Sequence, residues 1–337
     1  MRFQGCRMGD RSAQSGSGLT SYSVVMPAYN SAATIGRAIE SVIDQTFTDW
    51  RLVVVDDGSG DSTAEVAQRY AETDRRITVI RQRNVGPGAA RNAGFGVDGS
   101  ADLVAFLDSD DEFRPEYLDE MDKFIRAHPE HDVYHPNLRV IAASGSVTRF
   151  SSQDESISFG LEDLLRGCVI AVGGAVIRLD LLRRLGGFQE DIHCEDYDFW
   201  LRAFSHGARS LYLPLELYVY HQESSGRRSQ DTRAGARDSV VAIERLLSRG
   251  LIPNQLVPLA HDVIAAKGRR ITEIDREREL TAQANRFYGW LEETLGPRGA
   301  KLAGRLVDLL KGLVVPLRRM LVRRRMAKRP GSPPGDS

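Results

Sequence analysis

From Tyr22 onward, short apolar runs alternate with stretches in which apolar residues recur every three or four positions. The runs read as strands and the periodic stretches as helices. Ser23–Met26 is a strand ending at Pro27; Ile35, Ala38, Ile39, Val42 and Ile43 then mark one face of a helix capped by Ser31. Arg51–Val55 is a β-branched strand, and Ser62 with Glu65 has the spacing of a capping box opening the next helix. Ile77–Ile80 is a third strand, Gly88–Val97 a helix and Asp102–Leu107 a fourth strand. Nearly unbroken apolar strands separated by helices predict a parallel sheet covered on both faces.

Beyond Pro115 the pattern is less regular. Glu116–Ala127 reads as a helix, Asp132–Val140 and Ser146–Phe150 as strands, and Leu161–Arg166 as a short helix. Val169–Ile177 has the composition of a Gly-containing strand, and Leu179–Leu185 that of a helix stopped by Gly186-Gly187. Glu195–His206 opens with two carboxylates in the first turn, where the helix dipole favours them. Ser210–His221 contains apolar runs split by Pro214, and from Arg227 to Leu295 the pattern is helical with a break at Gly250–Pro253.

Polar clusters fall at the carboxyl ends of the strands: Tyr29-Asn30, Asp56-Asp57, Asn84-Val85-Gly86 and Asp108-Ser109-Asp110. Open α/β sheets bind ligands there. Asp108-Ser109-Asp110 brings hard oxygen donors suited to Mg2+ or Mn2+ holding a diphosphate, or else a turn and helix cap. A calcium loop starting at Asp108 is excluded, because Phe113 stands where that loop requires Gly. Asn84 to Asn92 is a Gly-rich turn entering a helix, whose amides and Arg91 suit a phosphate. Neither a dinucleotide fingerprint nor a P-loop fits its spacing. Asp56-Asp57 suits a nucleobase or ribose, or a simple strand-to-helix turn. Glu195-Asp196 offers a general base or a dipole-satisfying cap, and His221 a metal ligand, a phosphate partner or a structural imidazole.

Taken together these residues resemble a family 2 glycosyltransferase of GT-A fold. The resemblance runs from about Ser21 to Ser225. It rests on Val25 to Asn30, Val54 to Ser59, Asn84-x-Gly86 with Ala90-Arg91-Asn92, and Phe106 to Asp111. Downstream it adds Leu185 to Phe188, Glu195 to Asp198, Leu201-Arg202, and His221 with Ser224 and Ser225. It implies an α/β fold: a Rossmann-like, mostly parallel sheet flanked by helices, with a C-terminal helical extension. It also implies inverting transfer of a sugar from a nucleoside-diphosphate sugar, UDP-linked by preference, to a hydroxyl of a glycan or lipid-linked acceptor. In that scheme Pro27, Ala28 and Tyr29 wall the nucleotide, and Asp56 or Asp57 holds the base or ribose. Asn84, Gly86, Arg91, Asp108 and Ser109 contact the donor. Asp110, Asp108 and His221 are the metal set for Mn2+ or Mg2+, and Asp196, or else Glu195, is the base. A sugar nucleotidyltransferase and a catalytically silent nucleotide-sugar-binding subunit are the competing classes.

Charge changes the picture at one end. The total is 45 Lys+Arg against 46 Asp+Glu, a formal net charge of −1. Yet residues 298–337 hold eleven Lys/Arg and only Asp308 and Asp336, which leaves 34 basic and 44 acidic residues upstream. The expected organisation is a disordered lead over 1–20, a transferase domain over 21–225 and a helical extension over 226–296. A basic amphipathic tail over 297–329 and a disordered end over 330–337 complete it. The tail, with Leu302, Leu306, Leu309, Leu310, Leu313 and Leu317 at helical spacing, suits an anionic membrane surface or packing on the acidic body. No nucleic acid partner is expected, for the basic region lacks interleaved aromatics. Three cysteines (Cys6, Cys168, Cys194) without short spacing fit a reducing compartment. Met1–Thr20 lacks the apolar stretch of a signal peptide. The expected location is the cytoplasm, with peripheral attachment at the inner face of the cell membrane.

Overall fold

The computed structural model describes residues 21–97, 101–222, 231–283 and 286. The lead, the basic tail, Ser224 and Ser225 lie outside the described residues. The chain divides into two compact units, Met1–Gly268 and Arg269–Ser337. In the second, residues 269–283 are helical.

The first unit is built on nine strands in one sheet. Its parallel part is β3 (Ile77–Arg81), β2 (Trp50–Asp56), β1 (Tyr22–Ala28) and β4 (Leu103–Phe106), in that order. The remaining strands in chain order are β5 (Glu112–Phe113), β6 (Val133–Ala142), β7 (Val147–Arg149), β8 (Val176–Arg178) and β9 (Ser210–Gln222). The sheet continues from β4 through β8, β6 and β9 to β5, with β7 hydrogen-bonded to β6. β8 runs antiparallel to β4, so the doubly wound pattern ends there.

Two helical layers cover the sheet, and side-chain alternation along β1 assigns its residues to them. Tyr22, Val24 and Met26 pack with Ile35, Ile39 and Val42 of α1 (Ile35–Ile43), above α2 (Thr63–Thr73). Val25, on the opposite face, meets α3 (Pro87–Val97). The first layer continues with Leu118 and Met121 of α4 (Tyr117–Ala127). The second continues with α5 (Leu161–Arg166), α6 (Leu179–Leu185), α7 (Glu195–Ser205) and α8 (Thr232–Ser248). Ala242, Ile243 and Leu246 of α8 are buried in this layer with Phe199 and Trp200 of α7.

α3 lies close on β1 because Gly94 has no side chain. A Cβ there would sit 2.3 Å from Val25 Cγ1, in a fully buried position. Gly94→Ala is therefore expected to destabilise the first unit by about 1–3 kcal/mol, as overpacked cores do. Gly96→Ala on the same helix meets open space and is expected to leave the thermal midpoint unchanged or slightly raised. Thermal unfolding of the two variants side by side checks this.

Several local expectations are corrected. The first helix begins at Ile35 with Thr34 as its cap residue, while Ser31 is drawn into the loop contacts described below. Ser62 makes no capping hydrogen bond; Asp61 Oδ1 instead accepts from the amide of Thr63. Val169–Ile177 is a strand only at its end, β8. Gly174, with φ of +80°, breaks the run, and the Tyr218 ring fills the space beside Gly173 and Gly174. Ser210–Gln222 is one strand, not two. Its pairing with β6 slips between Pro136 and Leu138, stepping past Pro214, so the proline sits at an irregularity rather than breaking the sheet.

Candidate active site

The strand-end clusters converge along one rim of the sheet. Asp57 is buried, and its carboxylate organises the rim next to it. Oδ1 accepts from Gln82 Nε2 at 2.8 Å and from the Val85 amide at 2.9 Å, and Oδ2 accepts from the Gly86 amide at 2.8 Å. Asp56, also buried, is paired through Oδ2 with Arg81 Nε at 2.9 Å. Gly58 closes the turn with φ of +73°; a Cβ there would lie 2.7 Å from the Asn84 amide nitrogen. Asp56, Asp57, Asn84 and Gly86 are thus one structural unit. Both carboxylates act within it on protein groups.

Beside this unit β1 ends with Pro27 and Ala28, and the chain turns at Tyr29 and Asn30. Pro27 and Ala28 are buried, Tyr29 is 51% exposed and Asn30 has φ of 49°. Asn30 locks onto the second turn: its amide donates to Ser59 Oγ, and its Oδ1 accepts from the Gly60 amide, both at 2.9 Å. Ser31 Oγ lies 2.7 Å from Ser109 Oγ, tying this turn to the Asp108-Ser109-Asp110 strand end.

The centre of the rim is Arg91, 4% exposed. Its Nη2 donates to Asp108 Oδ1 at 2.9 Å and its Nη1 to Glu195 Oε1 at 2.6 Å. One guanidinium therefore joins Asp108 at the end of β4 to Glu195 at the start of α7, which lies 104 positions beyond Arg91 in the chain. Burial opposes its charge, but Asp108 and Glu195 outweigh that and raise its pKa above the usual value.

Asp196 follows Glu195, half-buried, its Oδ1 accepting from the Tyr197 amide at 2.7 Å. Burial and the Glu195 charge push its carboxyl up to about 6, against the opposing pull of Arg91. The two neighbours thus differ in kind. Glu195 is spent on the arginine, whereas Asp196 holds a proton affinity suited to taking one near neutral pH. Asp198 lies on the same helix, buried and bonded to Arg202 Nε at 2.6 Å, which marks it as structural.

On the other side of Asp108, the acids serve a second network. Asp111 is buried; it accepts from Tyr218 Oη at 2.8 Å and from the His221 amide at 2.9 Å. Burial, then the charges of Asp108 and Asp110, raise its pKa well above the carboxylate range. His221 Nε2 lies 2.6 Å from Glu112 Oε1. Arg37 Nη2 donates to the Asp110 carbonyl at 2.8 Å, and its Nε is 3.2 Å from Glu112 Oε1.

Among the described residues no group of three His, Cys, Asp or Glu side chains has the arrangement of a metal cluster. The donor chemistry nevertheless fits a divalent cation at the first two positions. The Asp108 side chain is 33% exposed, and its Oδ2 lies 3.2 Å from where a Cβ on Gly173 would sit, beside the Tyr218 hydroxyl that fills this space. Asp110 is half-buried beside it in sequence. His221, the third residue of the expected set, meets Glu112 through its Nε2.

Arg37, Arg81 and Tyr218 were not singled out by sequence reasoning, and Ser31 only as a helix cap. Arg37 gave a signal of sorts, a cation flanking the buried positions Ile35, Ala38 and Ile39. Tyr218, in an aromatic strand of ordinary composition, gave none.

Residues 23–184 match glycosyl transferase family 2. The succinoglycan biosynthesis protein ExoW of Rhizobium meliloti is 47% identical over 98 residues, 28% of this chain and 31% of ExoW. The glycosyltransferase GlyA of Streptococcus pneumoniae is 38% identical over 102 residues, 30% of this chain and 14% of GlyA. The chain thus spans well under half the length of these two relatives. Among solved structures, Staphylococcus aureus TarS in complex with UDP-GlcNAc is 25% identical, with 66% of each chain covered and a TM-score of 0.56. A mannosyltransferase of Pyrobaculum calidifontis, solved with GDP-Man and Mn2+, is 17% identical, covers 86% of this chain and 87% of its own, and has a TM-score of 0.55. The fold is the GT-A fold of these transferases.

Proposed function

We propose that the chain, whose residues 23–184 match glycosyl transferase family 2, is an inverting transferase. It moves a sugar from a nucleoside-diphosphate sugar, UDP-linked by preference, to an acceptor hydroxyl in surface polysaccharide or glycoconjugate synthesis. The observation that carries the reading is the Asp108–Arg91–Glu195 bridge with Asp196 beside it. It supports the reading by joining the Asp108 strand end to a helix start that carries a carboxylate of raised proton affinity.

In the reaction the acceptor oxygen attacks the anomeric carbon as the bond from that carbon to the diphosphate breaks. The electron pair leaves with the nucleoside diphosphate, the acceptor proton passes to an Asp196 oxygen, and attack opposite the leaving group inverts the anomeric centre. Asp110 and Asp108 would hold Mn2+ or Mg2+, which when bound supplies Lewis-acid stabilisation of the diphosphate. Arg91, fixed on two carboxylates, adds positive charge at the same place without reorganising. Tyr29 presents its ring at the nucleotide side, and the Asp57-organised loop of Val85 and Gly86 shapes the floor.

Asp110→Asn is expected to weaken metal-dependent binding of nucleoside diphosphate at least tenfold. Binding without metal should stay within twofold of wild type. Calorimetric titration of UDP and GDP with and without Mn2+ checks both; an unchanged metal-dependent affinity would remove Asp110 from the metal set.

No helix among the described residues is long and apolar enough to cross a membrane. The basic amphipathic pattern of residues 298–329 supports attachment at an anionic surface, each engaged Lys/Arg contributing ~1 kcal/mol. Full-length chain is expected to float with anionic vesicles, and a chain stopped at Gly296 is expected not to. Equal flotation would remove the membrane role.

A further inference from the structure

A pocket of about 360 Å³ lies apart from the rim, lined by His135, Phe150, Phe159, Cys168, Val169 and Tyr212 among others. It sits between β6, β9 and two loops, and its walls are fixed by hydrogen bonds. The Phe150 amide donates to the Leu138 carbonyl at 3.0 Å, the Tyr212 amide to the Ile157 carbonyl at 2.8 Å, and the Phe159 amide to Ser210 Oγ at 3.1 Å. The His135 ring stands 5.6 Å from that of Phe159 and 5.5 Å from that of Tyr212. His135 is 5% exposed, and its Nε2 has no hydrogen-bond partner among the described residues. Burial pushes this imidazole down to about 3, so it is neutral at physiological pH. A buried polar nitrogen without a partner, on a residue of the pocket wall, is costly unless a ligand or water satisfies it.

The pocket is joined to the proposed active site by a single loop. Residues 167–175 run from Cys168 and Val169 in the pocket wall to Gly173, which borders Asp108 Oδ2. α5, which leads into this loop, is held to the base-bearing helix by Tyr197 Oη donating to the Leu164 carbonyl at 2.9 Å.

We propose that this pocket is an acceptor subsite that takes a pyranose ring of a glycan, its C–H face against the aromatic walls and a hydroxyl on His135 Nε2. The inference rests on the transferase reading for the acceptor's role, but the binding itself does not. The volume is at the small end of ligand pockets and suits a sugar ring or two rather than a long chain. A lipid tail would leave the His135 nitrogen unmet and would bring the exposed Ser152 and Gln153 at the margin no partner. A sugar ring offers both an apolar face and hydroxyls to meet them.

The test is binding of full-length chain, without donor, to an array of short neutral and acidic oligosaccharides, with anionic phospholipid vesicles in parallel. Wild type is expected to bind at least one glycan. Phe150→Ala, at a 55% exposed position, and His135→Phe, which keeps the ring and removes the nitrogen, are each expected to weaken that binding at least tenfold. Absence of glycan binding, equal binding by Phe150→Ala, or a Phe150 dependence found only with vesicles overturns the subsite. A chain that binds glycan through these residues yet releases nucleotide from no donor contradicts the transferase reading and leaves the subsite standing. Donor turnover with glycan binding unchanged in both variants does the reverse.

Discussion

Arg91→Met is expected to lower the stability of the first unit by about 3 kcal/mol, the lower end of the cost of removing one partner from a buried ion pair. The lower end applies because Asp108 is 33% exposed and water screens part of its charge, whereas Glu195 is only 9% exposed. At roughly 2–4 °C per kcal/mol for a domain of this size, the melting temperature falls by roughly 6–12 °C. The methionine keeps most of the buried volume, so lost charge rather than a cavity sets the effect. It leaves Glu195, Asp196 and Asp108 without the cation that offsets them. The Asp196 carboxyl then rises above its value of about 6, since Arg91 is the main influence holding it down. Two readouts belong to this one variant: thermal unfolding, and a rising limb of the pH–rate profile moved to higher pH. Arg91→Lys, which keeps the charge but not the two-armed geometry, is expected to fall between. A melting temperature within 2 °C of wild type would mean that the bridge does not hold the rim together.

The second large effect is at Asp196. Asp196→Asn is expected to reduce transfer by roughly 10²–10⁴-fold, the range for loss of a positioned general base. Donor affinity should stay within twofold, because the residue lies outside the diphosphate contacts. The pH dependence gives the sign. A base works only when ionised, so wild-type activity should fall about tenfold per pH unit below about 6 and level off above it. Glu195, Arg91 and Asp108 are the charged groups around it, with the Cys168 and Cys194 thiols neutral at these pH values. The asparagine variant should lose that limb together with the rate. Steady-state kinetics between pH 5 and pH 8, paired with a donor titration, measure both. Turnover near that of wild type would return the base role to Glu195, despite its 2.6 Å bond to Arg91.

Much of this site was legible in the sequence because a parallel sheet presents its strand ends in a row. Asp56-Asp57, Asn84 to Gly86 and Asp108 to Asp110 each end a strand of recognisable composition, and β1 to β4 put them on one rim. The helix bearing Glu195 and Asp196 was legible from its acidic first turn. What local pattern could not convey was the pairing across long separations. Arg91 and Glu195 meet only because α3 and α7 pack on the same face of the sheet, with Gly88 leaving room beside the Glu195 side chain. Ser31 looked like a helix cap, yet tertiary contact with Ser109 turned it into a link between loops. The apolar run from Val169 looked like a strand, but Tyr218 from a distant strand occupies the space beside Gly173 and Gly174 and holds the backbone in a loop. That loop became a pocket wall, which no local period announces. The helical reading of residues 227–295 captured α8 but not its burial against Trp200, which makes it part of the transferase unit's core.

The central claim is that the rim binds a nucleoside-diphosphate sugar and activates it. It is tested most directly by incubating the full chain with Mn2+ and a panel of UDP-, GDP- and dTDP-sugars, and following release of nucleoside diphosphate. The expected result is release from at least one donor, abolished by chelation, reduced at least tenfold in Asp110→Asn and at least a hundredfold in Asp196→Asn. Release from none of the donors, or release that both variants match, would contradict the account.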